Sequence, residues 1–311
     1  MKFYHGLQEL VDAPQTIVTS GSFDGVHRGH QTILRRLTEL KKQHPDCQTA
    51  VITFEPHPRK VLKPDTRVWL LSTLREKKQL LQQQGIDLLL VIPFTKAFSR
   101  TTSQEFIQDI LIERLRTRHL VIGYDHRFGH NREGSFDYLQ AHQDAYPFAI
   151  EEIPRQEIDE MGISSTKIRQ ALREGNPKEA NRYLGYTYSL TGTVVKGEQI
   201  GRTIGFPTAN LQPDHPDKLV PADGIYAVRV QHQQKMYQGM LSIGVRPTIG
   251  ANLERTIEVN LFDFDQEVYG EELTLYFVAY LRGEESYDGL ETLKAQLQED
   301  KRASLEALNA R

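Results

Sequence analysis

His27 and His30 stand three residues apart, among Gly21, Gly25 and Gly29. The full string is Gly21-Ser22-Phe23-Asp24-Gly25-Val26-His27-Arg28-Gly29-His30. It follows the β-branched run Thr16-Ile17-Val18-Thr19 and precedes Ile33, Leu34, Leu37 and Leu40 at helical spacing. These signals give strand, glycine-rich turn, helix, in that order. A helix N-terminus presents unpaired N–H groups and the positive end of its dipole. With two imidazole donors and backbone free to approach closely, the turn is an anion site suited to phosphate. The same histidines could instead hold a metal, with His57 as a third ligand.

Three more strings in the first half carry chemistry. Phe54-Glu55-Pro56-His57-Pro58 is a turn stiffened by two prolines, which fixes the direction of His57. Gly123-Tyr124-Asp125-His126-Arg127-Phe128-Gly129 is a charged loop after a strand. Ser164-Ser165-Thr166-Lys167-Ile168-Arg169 opens a helix with three hydroxyls, which serve either as caps or, with Lys167 and the forked Arg169, as a phosphate cradle. In the second half Gly197, Gly201 and Gly205 recur every four residues and lead into Phe206-Pro207-Thr208-Ala209-Asn210. That is a glycine-rich hairpin or a backbone cradle over phosphates, with Lys196 or Arg202 nearby. Along residues 256–264, Glu258 shares a strand face with Thr256 and Asn260, opposite Ile257, Val259 and Leu261. The polar face is read as turned inward, with a solvent-facing role as the alternative. No Walker motif is present: Gly192 and Gly197 have the spacing, but Glu198 stands where Lys is required.

The elements that must position these groups fall into two patterns. Strands are expected at 16–19, 49–54, 88–93, 119–123 and 148–153. Helices are expected at 31–44, from the Thr73/Glu76 capping box to Gly85, and from the Thr102/Glu105 box with Phe106, Ile107, Ile110, Leu111 and Leu115 on one face. The alternation predicts a parallel sheet with helices on both faces, and the loops at 21–30 and 123–129 would then face one crevice. Helices at 164–174 and 177–184 follow. Strands at 188–195, 224–230, 236–243, 256–264 and 272–281 predict a compact antiparallel barrel. A last helix, 287–309, carries Leu290, Leu293 and Leu297 as its apolar stripe and should pack on the barrel. The expected boundary gives domains 1–185 and 186–311.

Composition narrows the class. The 311 residues carry a net charge of −3, with 25% charged and 39% hydrophobic residues, enough for two cores. No basic excess argues for nucleic acid as a partner. The single Cys47 cannot form an internal disulfide, which fits a reducing compartment. Met1-Lys2-Phe3-Tyr4-His5 has no signal-peptide character, and the longest apolar run, residues 88–93, is too short for a membrane. A cytoplasmic monomer or small homo-oligomer is expected, with neither nucleic acid nor membrane as partner.

The ordered strings, over about residues 16 to 300, resemble bacterial bifunctional riboflavin kinase/FAD synthetases. Residues 21–30 match the GxFDGVHxGH form of the HxGH nucleotidylyltransferase signature, and residues 197–210 resemble the flavokinase signature. The resemblance implies an α/β plus all-β chain: a Rossmann-like HxGH nucleotidylyltransferase (FMN adenylyltransferase) domain with a parallel sheet, then an antiparallel flavokinase β-barrel with a terminal helix. It implies that His27, His30, Ser164, Ser165 and Arg169 hold ATP phosphates and that Thr166 belongs to the nucleotide site. Gly21, Phe23, Asp24, Gly123 and Asp125 would line the nucleotide, and His57 would lie near the flavin phosphate or ATP. In the barrel it makes Gly197, Gly201, Arg202, Gly205, Phe206, Pro207 and Arg246 kinase ATP or flavin contacts. Thr208 and Asn210 become ligands of ATP-bound Mg²⁺, and Glu258 the general base. The implied small molecules are ATP, riboflavin, FMN and FAD. His126 departs from an aromatic usual in the family, and Asn260 occupies a position that varies and receives no role. Rival readings are a non-catalytic flavin-binding regulator and a zinc hydrolase using His27, His30 and His57. Glu258 outside the barrel, or the imidazoles turned from any cleft, would count against the reading.

Overall fold

The computed structural model describes residues 1–10, 14–158, 162–197, 201, 205–247 and 253–310. Contacts group the chain into two units, residues 1–165 and 166–311.

In the first unit six strands pair side by side. They are β1 (Lys2–His5), β2 (Thr16–Ser20), β3 (Gln48–Glu55), β4 (Leu88–Pro93), β5 (Thr117–Gly123) and β6 (Ala149–Ile153). The sheet order is β1-β4-β3-β2-β5-β6, and every pairing is parallel. Parallel sheets are covered on both faces, so their strands read as unbroken apolar or β-branched runs. All five residues of β2 are buried. Alternate residues feed two cores. Val18, Ile52, Leu90 and Ile122 meet Phe106 and Ile110 on one face. Ile17, Val51, Leu89 and Val121 meet Leu34 and Leu37 of the Arg28–Gln43 helix on the other. β3 and β4 lie to one side of β2, with β5 on the other, so strand order reverses between β2 and β5. The crevice beyond the strand ends at such a reversal is where open α/β sheets bind ligands.

Both capping boxes form. Thr73 Oγ1 accepts from the Glu76 N–H at 3.2 Å while Glu76 Oε2 accepts from the Thr73 N–H at 2.7 Å; Thr102 and Glu105 do the same. The helix after Thr102 departs from expectation in type. Ser103–Glu105 is α-helical, but Phe106–Arg114 is a π-helix, with the Leu115 N–H donating to Ile110 O at 2.9 Å. Wider turns bring residues five apart into line. Phe106 then falls over Leu111 and Ile110 over Leu115, and all of them are buried. Strand β1, at the sheet edge, was not anticipated from its mixed polarity.

The second unit includes the helices Ser165–Arg173, from Thr166 onward, and Pro177–Leu184. The Ala222 N–H donates to Leu172 O at 2.9 Å, and Asn181 donates to Phe277 O at 2.8 Å while accepting from the Tyr188 N–H at 2.7 Å. Six strands follow: β7 (Ser189–Val195), β8 (Ala209–Pro213), β9 (Gly224–His232), β10 (Lys235–Pro247), β11 (Leu253–Leu261) and β12 (Glu272–Arg282). They close a barrel in the order β10-β11-β8-β7-β12-β9, all antiparallel. β8 was hidden in the tail of the glycine-rich string. Register puts Leu241 between Tyr226 and Val259, all fully buried, on the interior face. Ala227 and Ala279 face out and are covered by Leu308 of the Leu290–Asn309 helix.

That helix packs on the barrel as expected, with Leu293 and Leu297 half-buried on the packed face and only Leu290 of the expected stripe outside it. Leu290 is 58% exposed, and the buried positions are Asp300, Ser304 and Leu308. A carboxylate is tolerated on that face because Asp300 accepts from Arg282 Nε and Nη2 at 2.8 and 2.6 Å. The pair continues the face that half-buried Leu293 and Leu297 begin, one that runs 293, 297, 300, 304, 308 along the helix. Removing one partner of a fully buried pair costs about 3–5 kcal/mol, so with Arg282 partly exposed Asp300→Ala should cost about 2–3 kcal/mol, read as a lower urea midpoint.

Candidate active sites

Beyond β2 the chain enters a tight turn. Backbone φ is +44° at Phe23, +80° at Gly25 and +36° at Val26. For Phe23 and Val26 that conformation costs about 1–2 kcal/mol each, so other contacts must hold it. Asp24 supplies the main one. It is 2% exposed, and its carboxylate accepts from the Leu71 N–H at 2.9 and 3.2 Å and the Ser72 N–H at 3.0 Å. Ser72 Oγ accepts from the Gly25 N–H at 2.9 Å. Thr53 Oγ1 donates to Ser22 O at 3.2 Å, and Ser165 Oγ donates to Asp24 O at 3.1 Å. Phe23 and Val26 themselves are buried in the core beneath.

His27 caps the Arg28–Gln43 helix, its Nδ1 accepting from the His30 N–H at 3.4 Å. With Nδ1 an acceptor, a neutral His27 carries its proton on Nε2. The two imidazoles stack at 3.7 Å and 17°, and His30 lies against Phe23 at 5.0 Å. Among the described residues His30 Nδ1 is buried without a hydrogen-bond partner. Burial foremost, then the charges of His27 and Lys77, hold the His30 ring well below its usual pKa.

The loop after β5 reaches the same place. His126 Nε2 lies 3.0 Å from Ser20 Oγ at the end of β2, and its ring stacks with Phe128 at 5.8 Å. The loop after β5 therefore reaches the C-terminal end of β2 at the switch point. Burial first, then Arg127 and Arg132, lowers the His126 pKa to about 4. A phenyl ring could not make the bond to Ser20. Gly123 closes β5, while Asp125 is exposed. His57 caps the Pro58–Leu62 helix by accepting from the Arg59 N–H at 3.2 Å. Among the described residues no three His, Cys, Asp or Glu side chains group as a metal site, so the three-histidine alternative is not assembled. Ser164 is half-buried beside Ser165; Thr166 and Arg169 follow on the same helix, among the residues of the second unit.

Lys77 was missed. It is 5% exposed, and its ammonium donates to Thr53 Oγ1 at 3.3 Å. Desolvation lowers its pKa, opposed by the charges of Asp24 and Glu55. The helical phase contained the signal: Leu74, Lys77 and Leu81 share a face, which puts a lysine on the apolar stripe.

In the barrel Glu258 on β11 pairs with Asn210 on β8 and Ser242 on β10. Ile257 and Val259 fill the interior, at 4% and 0% exposure. Glu258 thus stands on the outer sheet face and not on the inward one expected, because alternation fixes two faces and apolar burial decides between them. That placement counts against the base reading as expected from the sequence, and what supports it now is the cover over this outer face. Asn260 is 6% exposed and donates to Pro207 O at 2.7 Å, and Thr208 Oγ1 donates to Glu258 Oε2 at 3.2 Å. Residues 206–208 form a roof over it, which gives Asn260 a structural part where none was foreseen. Gly197 lies directly against the Asn210 side chain, with no room for a Cβ, and Gly205 takes φ +85°. The Gly201 carbonyl accepts from the Phe206 N–H at 2.8 Å. A pocket of about 260 Å³ opens beside the roof, lined by Val194, Pro207, Thr208, Leu261, Phe264 and Val268 among others. Arg202 lies outside the described residues. Arg246 has its backbone in β10, and its side chain lies outside them.

Comparison with known proteins matches each unit separately. A FAD synthetase family profile covers residues 10–167, and a riboflavin kinase profile covers residues 184–308. The chain is 38% identical over 305 residues to the bifunctional riboflavin kinase/FMN adenylyltransferase of Escherichia coli K12, covering 96% of each. It is 38% identical over 285 residues to that of Listeria monocytogenes, covering 91% of this chain and 90% of the relative. A crystal structure from Streptococcus pneumoniae, described as a macrolide-efflux protein, superposes with a TM-score of 0.89 at 31% identity over the whole of both chains. Among the described residues no helix is long and apolar enough to cross a membrane.

The burial of His126 has a measurable pH signature. Between about pH 6.5 and pH 4 the unfolded chain binds a proton at this ring and the folded chain does not, so His126 makes stability fall as pH falls through that window. His126→Phe should flatten the slope there, measured by urea unfolding at stepped pH.

Proposed function

The chain belongs to the bifunctional riboflavin kinase/FMN adenylyltransferase family, and from that premise we propose how its residues divide the two reactions. The kinase reaction phosphorylates riboflavin to FMN. The adenylyltransferase reaction joins FMN to the AMP part of ATP, releasing pyrophosphate and FAD. The cytoplasm, where ATP is abundant, suits both.

The histidine turn serves adenylyl transfer. The attacking group there is the FMN phosphate, already anionic at neutral pH, so it needs no base. The carboxylate within the turn fits this demand, since Asp24 is occupied by the Leu71 and Ser72 N–H groups. What remains is a set of donors: the Arg28–Gln43 helix N-terminus, the two stacked imidazoles and the Ser164 hydroxyl, while Ser165 spends its own proton on Asp24 O and steadies the turn. Donors aimed at the triphosphate stabilise charge as it gathers on the departing pyrophosphate. His57, at the end of β3, stands by for the flavin phosphate or ATP.

The roofed face of the barrel serves phosphorylation. Riboflavin attacks through a hydroxyl, which must lose its proton to reach the γ-phosphate. Glu258 takes that proton, and its approach to Thr208 Oγ1 is the observation that carries the assignment. Thr208 and Asn210 present oxygen atoms on the same face, a donor set that suits a hard divalent cation such as Mg²⁺. Bound with ATP, Mg²⁺ would neutralise phosphate charge. The Gly197 backbone packed on Asn210 keeps that amide in place.

Two substitutions test the division. His30→Ala should slow FAD formation from FMN by about 10²–10³-fold, the loss of one transition-state donor, and leave FMN formation intact. Glu258→Ala should slow riboflavin phosphorylation by about 10²–10⁴-fold, the range for a general base, with supplied FMN still adenylylated at the normal rate. Products resolved by chromatography after incubation with ATP, Mg²⁺ and riboflavin or FMN give both readouts. Equal loss of both activities in either variant would break the division.

A further inference from the structure

Lys77 is a buried ammonium that neither reaction uses directly. Its Nζ donates to Thr53 Oγ1 at 3.3 Å, and the Thr53 hydroxyl spends its own proton on Ser22 O at 3.2 Å. The direction of this relay is fixed, because an ammonium can only donate and a carbonyl can only accept. Its far end is the backbone of the histidine turn. Thr53 is fully buried and Lys77 nearly so, at 0% and 5% exposure. A lysine on the apolar face of the Leu74–Gln83 helix, between Leu74 and Leu81, is costly to bury. Packing alone would be served better by an apolar side chain of the same length.

The turn itself explains what the charge is for. Among the described residues His30 Nδ1 is buried with no acceptor, so a proton there would be stranded. His30 can therefore serve only as a neutral ring donating from Nε2. Lys77 is near enough for its charge to act on that ring, along with His27, while Asp24 and Glu55 are the acidic groups that face Lys77.

We propose that Lys77 is a positioning residue for adenylyl transfer, fixing the histidine turn through Thr53 and Ser22 and placing a positive charge behind the two imidazoles. The inference rests on the reading of the turn as the adenylyl-transfer site. It predicts that the ammonium and the relay make separable contributions. The ammonium adds to burial and His27 in keeping His30 neutral, and the relay sets the place of the turn.

The test uses the full chain, with riboflavin phosphorylation as the internal control. Lys77→Met should lower kcat for FAD formation by about ten- to a hundredfold, the range for groups that orient a ligand's direct partners. Phosphorylation should stay within about twofold, and the urea midpoint should hold or rise, because an apolar isostere of a buried charge is often neutral or stabilising. With the charge gone, His30 takes up a proton more readily, so the acid-side loss of adenylylation should move to higher pH. Thr53→Val keeps the ammonium and cuts the relay; it should lower kcat without moving the acid limb, and it decides the matter if Lys77→Met does not fold. Adenylylation within about twofold of wild type in a folded variant would overturn the proposal. So would a loss shared equally with phosphorylation and accompanied by a lower midpoint. His30→Ala separates the two levels: if it leaves FAD formation intact, the site reading fails, whereas a defect in His30→Ala without one in Lys77→Met sinks this inference alone.

Discussion

A carboxylate almost without water holds the first site in shape. Asp24 lies at the centre of a turn that two non-glycine residues enter in the left-handed region, and its oxygens are met by backbone N–H groups from Leu71 and Ser72. A buried carboxylate left without those donors would be far too costly to keep, and the segment without the carboxylate would hold two orphan N–H groups. Each side therefore requires the other. His27 and His30 inherit their stacked arrangement from this arrangement of backbone, since both follow within six residues of Asp24.

The two halves meet opposite chemical demands with opposite architectures. A parallel sheet gathers donors at the ends of its strands, where β2 and β5 part and helices begin. That geometry concentrates positive potential and suits an anion that arrives ready to react. The antiparallel barrel instead offers long alternating strands, whose outer face can line up a carboxylate, an amide and a hydroxyl within one pair of neighbours. That geometry suits a proton acceptor beside oxygen ligands. The barrel interior plays no direct part; Ile257, Val259 and Leu241 fill it and so fix which side Glu258 must take.

Local signals in the sequence were strong wherever one element explained them. The β-branched runs of β2 to β5, the two capping boxes and the Gly85 stop are decided by neighbours along the chain, and they appear in the structure within a residue or two. Features set by tertiary partners were illegible or misread. The π-helix keeps the apolar face that an α-helix would have, so periodicity could not tell them apart. Asp300 looks like a solvent residue until Arg282 is known to lie beneath it. Glu258 was assigned to its alternating face correctly and to the wrong side of the sheet. Lys77 sat on an apolar stripe, where a single charge among Lys78 and Glu76 passed as ordinary helix surface. The bond from His126 to Ser20 joins residues 106 apart in sequence and left no trace in either string.

The barrel is stitched unevenly. Among the described residues β11 runs beside β10 over nine residue pairs but beside β8 over only two, Glu258 with Asn210 and Val259 with Ala209. A hoop fastened this way parts most cheaply at its shortest join. The carboxylate and the amide face each other across that very join, so any breathing of the hoop is felt first between them, and a guest wedged there needs to loosen only a couple of rungs to change the gap.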